Sequence, residues 1–348
     1  MEDRVIAKRK FKGWLKELAG ELALVGPVRQ EEGPPVFEES APDADFVLDN
    51  REWVMSPKEC LLPRCETLFV FETAKGQENI VSAVPEPKRT LMLGLRPCDL
   101  RALTVLDNVY LEGQFKDPYY ASRRANTVTM SYVCESKRWS CFCTLVGEPI
   151  EWIRAGDLAL TDVGDSYMVT AFSDAGIALL KSALLETPND AQIAERDQVW
   201  SRLAEAPRES KFDPDRVAEA VDWNEAAWDE IAQKCVGCGV CSFMCPTCTC
   251  FDIEDEVLEG GKVERFRVRD TCQFCHFTKM SAGHNPRPSR KERARQRLSH
   301  KFKYTMQTYG MLSCTGCGRC VELCPVNIDI RRVISEVMKS ENREPVNA

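Results

Sequence analysis

Apolar positions recur at helical spacing over residues 11–22, where Phe11, Trp14, Leu15, Leu18 and Leu22 share one face. The chain is therefore expected to open with an amphipathic helix packed on a domain. Residues 31–49 break that pattern: they are acidic and carry Gly33, Pro34, Pro35 and Pro42, which reads as an irregular surface loop. Short β-rich runs follow at 67–71 (TLFVF), 90–95 (TLMLGL), 127–133 (TVTMSYV) and 167–172 (YMVTAF), with helical patterns after Asp99 and after Gly176. This alternation predicts a mixed α/β domain over residues 1–215. Between about 188 and 234 the chain turns polar, Ala- and Glu-rich and helical, a connector with Trp200, Trp223 and Trp228 available to pack. Residues 216–348 then read as a smaller domain of cysteine-bearing loops, which makes the whole chain α+β.

Length and composition narrow the chemistry. The 348 residues are enough for about two ordinary cores without disulfides, so size does not explain 18 cysteines. No run approaches the roughly 18 apolar residues of a membrane span. At the N-terminus, Lys12, Lys16, Glu17 and Glu21 interrupt what a signal peptide needs as a continuous apolar core. A cytoplasmic, reducing setting is expected, where thiolates serve better as metal ligands than as halves of disulfides. The net charge of −8 argues against a general affinity for nucleic acid.

Cysteine spacing carries the strongest signal. Six cysteines fall before residue 230, and twelve lie from Cys235 to Cys324. Cys235, Cys238, Cys241 and Cys245 read CVGCGVCSFMCP, and Cys314, Cys317, Cys320 and Cys324 read CTGCGRCVELCP, one internal repeat. Three thiolates spaced by two residues let a tight loop hold three corners of a [4Fe-4S] cubane, while Gly237, Gly239, Gly316 and Gly318 allow close backbone approach. Proline turns the fourth cysteine away, and in two-cluster ferredoxins that cysteine ligates the other cluster. The expected sets are Cys235, Cys238, Cys241 and Cys324 for one cluster, and Cys314, Cys317, Cys320 and Cys245 for the second. The C-terminal domain is thus expected to be ferredoxin-like and α-helical. Zinc also takes four cysteines, but its sites usually come as separated CxxC pairs.

Two weaker groups remain. Cys98 in LGLRPCDL and Cys134, Cys141 and Cys143 in VCESKRWSCFC follow predicted strands whose ends can converge, and are expected to bind a third [4Fe-4S] cluster; the alternative is buried free thiols. Cys248, Cys250, Cys272 and Cys275 are a candidate fourth metal site, iron-sulfur or zinc, with His276 as a substitute ligand. Cys60 and Cys65 read as structural or surface thiols.

The run from Arg287 to Lys303 holds eight Lys or Arg against Glu292 alone. It reads first as a solvated helix, and otherwise as a docking face for an acidic partner or a positive field favouring reduced clusters. No GxGxxG after a strand, GxxxxGK[ST] or GxSxG is present, so a nucleotide site or hydrolytic triad is unsupported and no catalytic residue is named.

In order along the chain, LGLRPCDLRALTVLDNVYL, DPYYASRRANTVT, CESKRWSCFC, CPTCTCFD, TCQF, AGHNPRP and the two cluster motifs resemble the beta subunit of cytosolic sulfhydrogenase-type NiFe hydrogenases and the A subunit of anaerobic sulfite reductase. The resemblance runs from about residue 50 to 335. It implies an electron-transfer subunit that relays between a flavin-bearing, NAD(P)H-reactive subunit and a separate catalytic subunit, hydrogenase or sulfite, sulfur or disulfide reductase. Cys98, Cys134, Cys141, Cys143, Cys248, Cys250 and Cys272 match the family pattern. Cys275 lies outside it, leaving a carboxylate such as Asp255 as a candidate ligand. Two rivals stand beside this reading: an N-terminal domain that itself binds flavin or substrate, and a zinc-stapled interaction protein without a redox role.

Overall fold

The computed structural model describes residues 1–49, 55–74, 77–84, 86, 88–205, 212–221 and 227–341. Its strands are β1 (Glu2–Ala7), β2 (Ala23–Val28), β3 (Val36–Glu39), β4 (Cys65–Ala74), β5 (Gln77–Ser82), β6 (Thr90–Leu95), β7 (Thr127–Tyr132), β8 (Leu158–Val163), β9 (Ser166–Ala171), β10 (Phe251–Val257) and β11 (Val263–Arg269). Two compact units share them. The first contains Met1–Leu61, Glu86–Lys211 and Thr315–Cys317; the second contains Leu62–Pro85, Phe212–Cys314 and Gly318–Ala348.

The first unit is built on a seven-stranded sheet ordered β1-β9-β8-β7-β6-β2-β3. β2, β6, β7 and β8 run parallel, and antiparallel strands flank them on both sides. Every residue of β7 is buried, as expected where both faces of a parallel sheet are covered. Alternation assigns the faces. Val128, Met130 and Tyr132 join a core with Phe11, Trp14, Leu15 and Leu18 of the first helix, Lys8–Leu18. The intervening polar side chains are satisfied: Thr129 donates its hydroxyl to Asp157 at 2.8 Å, and Ser131 donates to the Leu158 carbonyl at 3.3 Å.

The opening helix ends at Leu18, one turn earlier than expected, and Leu22 reaches the same core from beyond it. The acidic segment expected to be wholly irregular contains β3, which pairs antiparallel with β2. β1, β2 and β8 are further strands that short apolar runs did not distinguish.

The expected connector divides. Its helix Asp190–Ala204 stays with the first unit, where Val199 and Leu203 pack with Val133, Ile153 and Ala159, and Trp200 Nε1 donates to Thr161 Oγ1 at 3.0 Å. Asn189 opens this helix by accepting from the Gln192 amide at 2.9 Å while Gln192 answers to the Asn189 amide at 3.0 Å. Asn189→Ala should lower the unfolding free energy of this unit by about 1 kcal/mol. An unchanged denaturant midpoint would show that packing alone sets the helix start.

The helices Pro214–Ala220 and Ala227–Lys234 belong to the second unit, with Trp228 fully buried; Trp223 lies outside the described residues. The boundary expected at 215/216 falls at 211/212. The second unit also departs from an all-helical expectation, because it contains a four-stranded antiparallel sheet ordered β10-β11-β4-β5. Its two middle strands come from segments nearly two hundred residues apart, joined by the buried Glu66–Arg267 pair at 2.7 Å. The strand expected at 67–71 therefore exists, but in the other unit. A local period specifies a strand and not its partner.

Candidate metal centres

The two repeated motifs fold alike. Gly237 and Gly316 have φ of +71° and +63°, and Gly239 and Gly318 have φ of +77° and +76°. The second glycine of each pair caps a one-turn helix, Val240–Phe243 or Arg319–Glu322. Left-handed backbone at both glycines curls each loop within three residues of its cysteines, a conformation that L side chains resist.

One cavity within the second unit is walled by Cys235, Cys238 and Cys241 of the first motif and by Cys320 and Cys324 of the second, with Ile231, Leu298 and Val333 closing it. Here the repeat's first three thiols meet its distant fourth. Backbone amides already point at two of these sulfurs: Gly237 N–H donates to Cys235 at 3.4 Å, and Ile328 N–H donates to Cys324 at 3.2 Å.

Arg297 forms part of the same wall and is only 8% exposed. Its Nη2 donates to the Cys241 carbonyl at 3.0 Å, while its buried Nε–H has no acceptor among the described residues. Burial works against its charge, but the sulfurs of Cys241, Cys320, Cys248 and Cys245 more than offset that and hold the guanidinium above its ordinary range. Five thiols, an orphaned buried donor and a cation that meets no carboxylate among the described residues fit an anionic [4Fe-4S] thiolate cluster, whose sulfurs accept hydrogen bonds.

Cys245, Cys314 and Cys320 of the second expected set lie in the second unit, whereas Cys317 lies with Thr315 and Gly316 in the first. Cys245 Sγ stands 3.4 Å from Thr247 Oγ1, which donates to the Ser313 carbonyl at 2.8 Å and accepts from Lys301 Nζ at 2.6 Å. Lys301 is 4% exposed. Desolvation opposes its charge, and the thiols of Cys245, Cys248 and Cys314 overcome it, so the ammonium is held above its usual range.

These two cations correct the first reading of the basic run. Arg293, Arg295, Arg297 and Lys301 are all buried, so the segment is not a solvated helix. The helix Arg290–Ser299 continues into a π turn at His300–Tyr304, a feature often found at functional sites.

In the first unit the chain leaves the same end of adjacent parallel strands after β6 and β7; Cys98 lies in the first turn of the helix Pro97–Tyr110 that follows β6, and Cys134 in the loop after β7. Cys98, Cys134, Cys141 and Cys143 line one cavity together with Arg96, Lys137, Arg138 and Cys317. Phe142 N–H donates to the Gly316 carbonyl at 2.8 Å, and Cys141 Sγ lies 3.8 Å from the Cys317 carbonyl. Burial pushes the Cys134 and Cys143 thiols up to about 12, partly relieved by Arg96 and Lys137 respectively. A metal entering here must displace those protons, and iron's own charge supplies the compensation. The participation of Cys317 was not legible in the sequence, since its motif reads as a self-contained ferredoxin loop.

Among the candidates for a fourth metal site, Cys248 hydrogen-bonds with Cys245, and Cys250 with Cys272. The Cys250 thiol donating to it holds Cys272 down to about 5, with Gln273, Arg297 and Ser242 adding to the effect against burial. Among the described residues, no three His, Cys, Asp or Glu side chains gather closely enough to clasp a single ion. Tetrahedral zinc needs that closeness, with bonds of about 2.3 Å to each sulfur; a cubane does not, since each thiolate takes its own iron. Cys275 and His276 are exposed. Asp255 is engaged by Arg265 through two 2.6 Å contacts on the exposed strand β10, which removes it as a candidate ligand. Cys60 points toward the Phe37 carbonyl at 3.9 Å, and Cys65 is exposed.

A family model described as a 4Fe-4S dicluster domain matches residues 234–328. Sulfhydrogenase 2 subunit beta of Pyrococcus furiosus is 28% identical over 332 residues, covering 94% of this chain and 95% of that relative. No helix among the described residues is long and apolar enough to cross a membrane. The dicluster domain and this end-to-end similarity agree with the resemblance carried by the motifs, and make the chain an iron-sulfur electron-transfer protein similar to a hydrogenase beta subunit.

Proposed function

We propose that the chain is a cytoplasmic relay subunit, carrying electrons between a flavin-bearing, NAD(P)H-reactive subunit and a separate catalytic oxidoreductase subunit. The observation that carries this reading is the cavity where Cys235, Cys238 and Cys241 meet Cys324 beside the buried Arg297. Bound there, a [4Fe-4S] cluster supplies one-electron redox chemistry. Cys235, Cys238, Cys241 and Cys324 hold one cluster and Cys314, Cys317, Cys320 and Cys245 the second; Cys98, Cys134, Cys141 and Cys143 hold a third. The chain's own residues bind, orient and desolvate these groups. Gly237 and Gly316 bring the backbone close, Ile231, Leu298 and Val333 exclude water from the first cavity, and Arg96 and Lys137 oppose the negative charge of the N-terminal thiolates.

Crossed ligation keeps the two C-terminal clusters close enough for their spins to interact. Protein isolated without oxygen should be brown and hold about twelve irons, the content of three cubanes. On reduction, its electron paramagnetic resonance should show spin coupling between two centres. In the native host it should co-purify with a flavoprotein and a catalytic subunit. A colourless, zinc-loaded preparation would overturn the relay and favour a zinc-stapled interaction subunit, while flavin absorbance in the isolated chain would move the flavin site into the N-terminal unit.

A further inference from the structure

Arg297 and Lys301 sit one helical turn apart at the junction of a regular helix and a π turn, so both reach the same side of it. Each is more than nine-tenths buried. A buried cation ordinarily sits beside a carboxylate, because removing its charge from water is costly unless an anion compensates. Among the described residues neither of these meets one. Arg297 contacts the Cys241 carbonyl and keeps its Nε–H unpartnered in the wall of the Cys235, Cys238, Cys241 and Cys324 cavity. Lys301 contacts Thr247, whose hydroxyl lies against Cys245. Arg297 therefore stands in the wall of the first thiol set, with Cys320, Cys248 and Cys245 also acting on it, and Lys301 stands against the second.

We infer that Arg297 and Lys301 are built-in counter-charges that set the reduction potentials of the two C-terminal clusters separately, Arg297 for the cluster closed by Cys324 and Lys301 for the one closed by Cys245. The inference rests on the cluster assignment proposed above. Its physical basis is charge: reduction adds one negative charge, and a fixed cation in a poorly screened interior stabilises the reduced form more than the oxidised form. Both are positioning residues, since neither ligates iron.

The test uses the full chain, loaded with iron and sulfide under anaerobic conditions and titrated with a reductant while its paramagnetic signals are followed. Arg297→Gln should keep the wild-type iron content but lower the ratio of reduced to oxidised cluster at least tenfold at fixed poise, a fall of about 59 mV for a one-electron couple. The affected signal should be the one that Cys324→Ala abolishes. Lys301→Met should do the same to the signal that Cys245→Ala abolishes, and Arg297→Lys should restore the potential nearly to that of the parent. Unchanged potentials in iron-replete Arg297→Gln and Lys301→Met would overturn the inference, as would equal shifts in Arg297→Lys and Arg297→Gln. If Arg297→Gln fails to hold iron, Arg297→Lys decides: full loading at the parent potential supports the charge role, and loss of iron there too assigns Arg297 to structure alone. A parent chain that binds no iron fails at the earlier step, the cluster assignment itself.

Discussion

Cys324→Ala should abolish the cluster held by the first cysteine motif, although Cys324 lies in the second. The expected loss is about four irons, one cubane, together with the spin coupling that depends on both centres. The assignment is read from a double substitution. Adding Cys238→Ala to Cys324→Ala should remove no further iron, because both strip the same site, whereas adding Cys314→Ala should remove about four more. Cys245→Ala should behave reciprocally, additive with Cys238→Ala and not with Cys314→Ala. The basis is the shared cavity wall of Cys235, Cys238, Cys241 and Cys324. Swapped additivity would show that each motif closes on its own cluster. Cys65→Ala, at an exposed thiol, should leave the iron content unchanged.

Gly316→Ala should be strongly damaging. At φ +63° any added Cβ is strained, and here it would lie 2.5 Å from the backbone N and Cα of Cys143 and from the Phe142 carbonyl carbon. Backbone cannot swing aside as a flexible side chain can. Gly113→Ala is the matched control, with φ +95° but nothing within 4 Å of the added methyl, so it should cost only the left-handed strain, roughly 1–2 kcal/mol. Gly316→Ala should cost at least twice that, and the difference should be visible as a lower melting temperature. It should also reduce iron retention at Cys98, Cys134, Cys141 and Cys143, since the Phe142 bond to the Gly316 carbonyl at 2.8 Å orients the loop carrying three of those thiols. Equal melting temperatures for the two variants would mean that the 315–317 loop is not held against Cys143.

Three strands of the larger sheet were legible as apolar runs: β6 matches its expected span, and β7 and the antiparallel β9 each fall one residue from theirs, whereas the parallel β2 and β8 were missed. β10 and β11 were not legible, because their registry with β4 depends on a segment far away in sequence. β10 is exposed along its whole length, so Phe251, Ile253 and Val257 alternate with acidic residues without any buried face to anchor the reading. The basic run failed for a related reason. A helix rich in arginine looks solvated whenever its charge partners are unseen, and those of Arg297 and Lys301 are thiols from other loops.

By itself the sequence marked the dicluster segment, since a cubane's demands for three closely spaced thiolates, flexible glycines and a diverted fourth cysteine all fall within a dozen residues of chain. Local chemistry leaves a local record. Only the tertiary structure decided that the 315–317 segment packs beside Cys143 and that two cations turn inward among the thiols. Those outcomes depend on which surfaces meet when the chain folds, and the free energy of a buried charge is set by neighbours in space rather than neighbours in sequence.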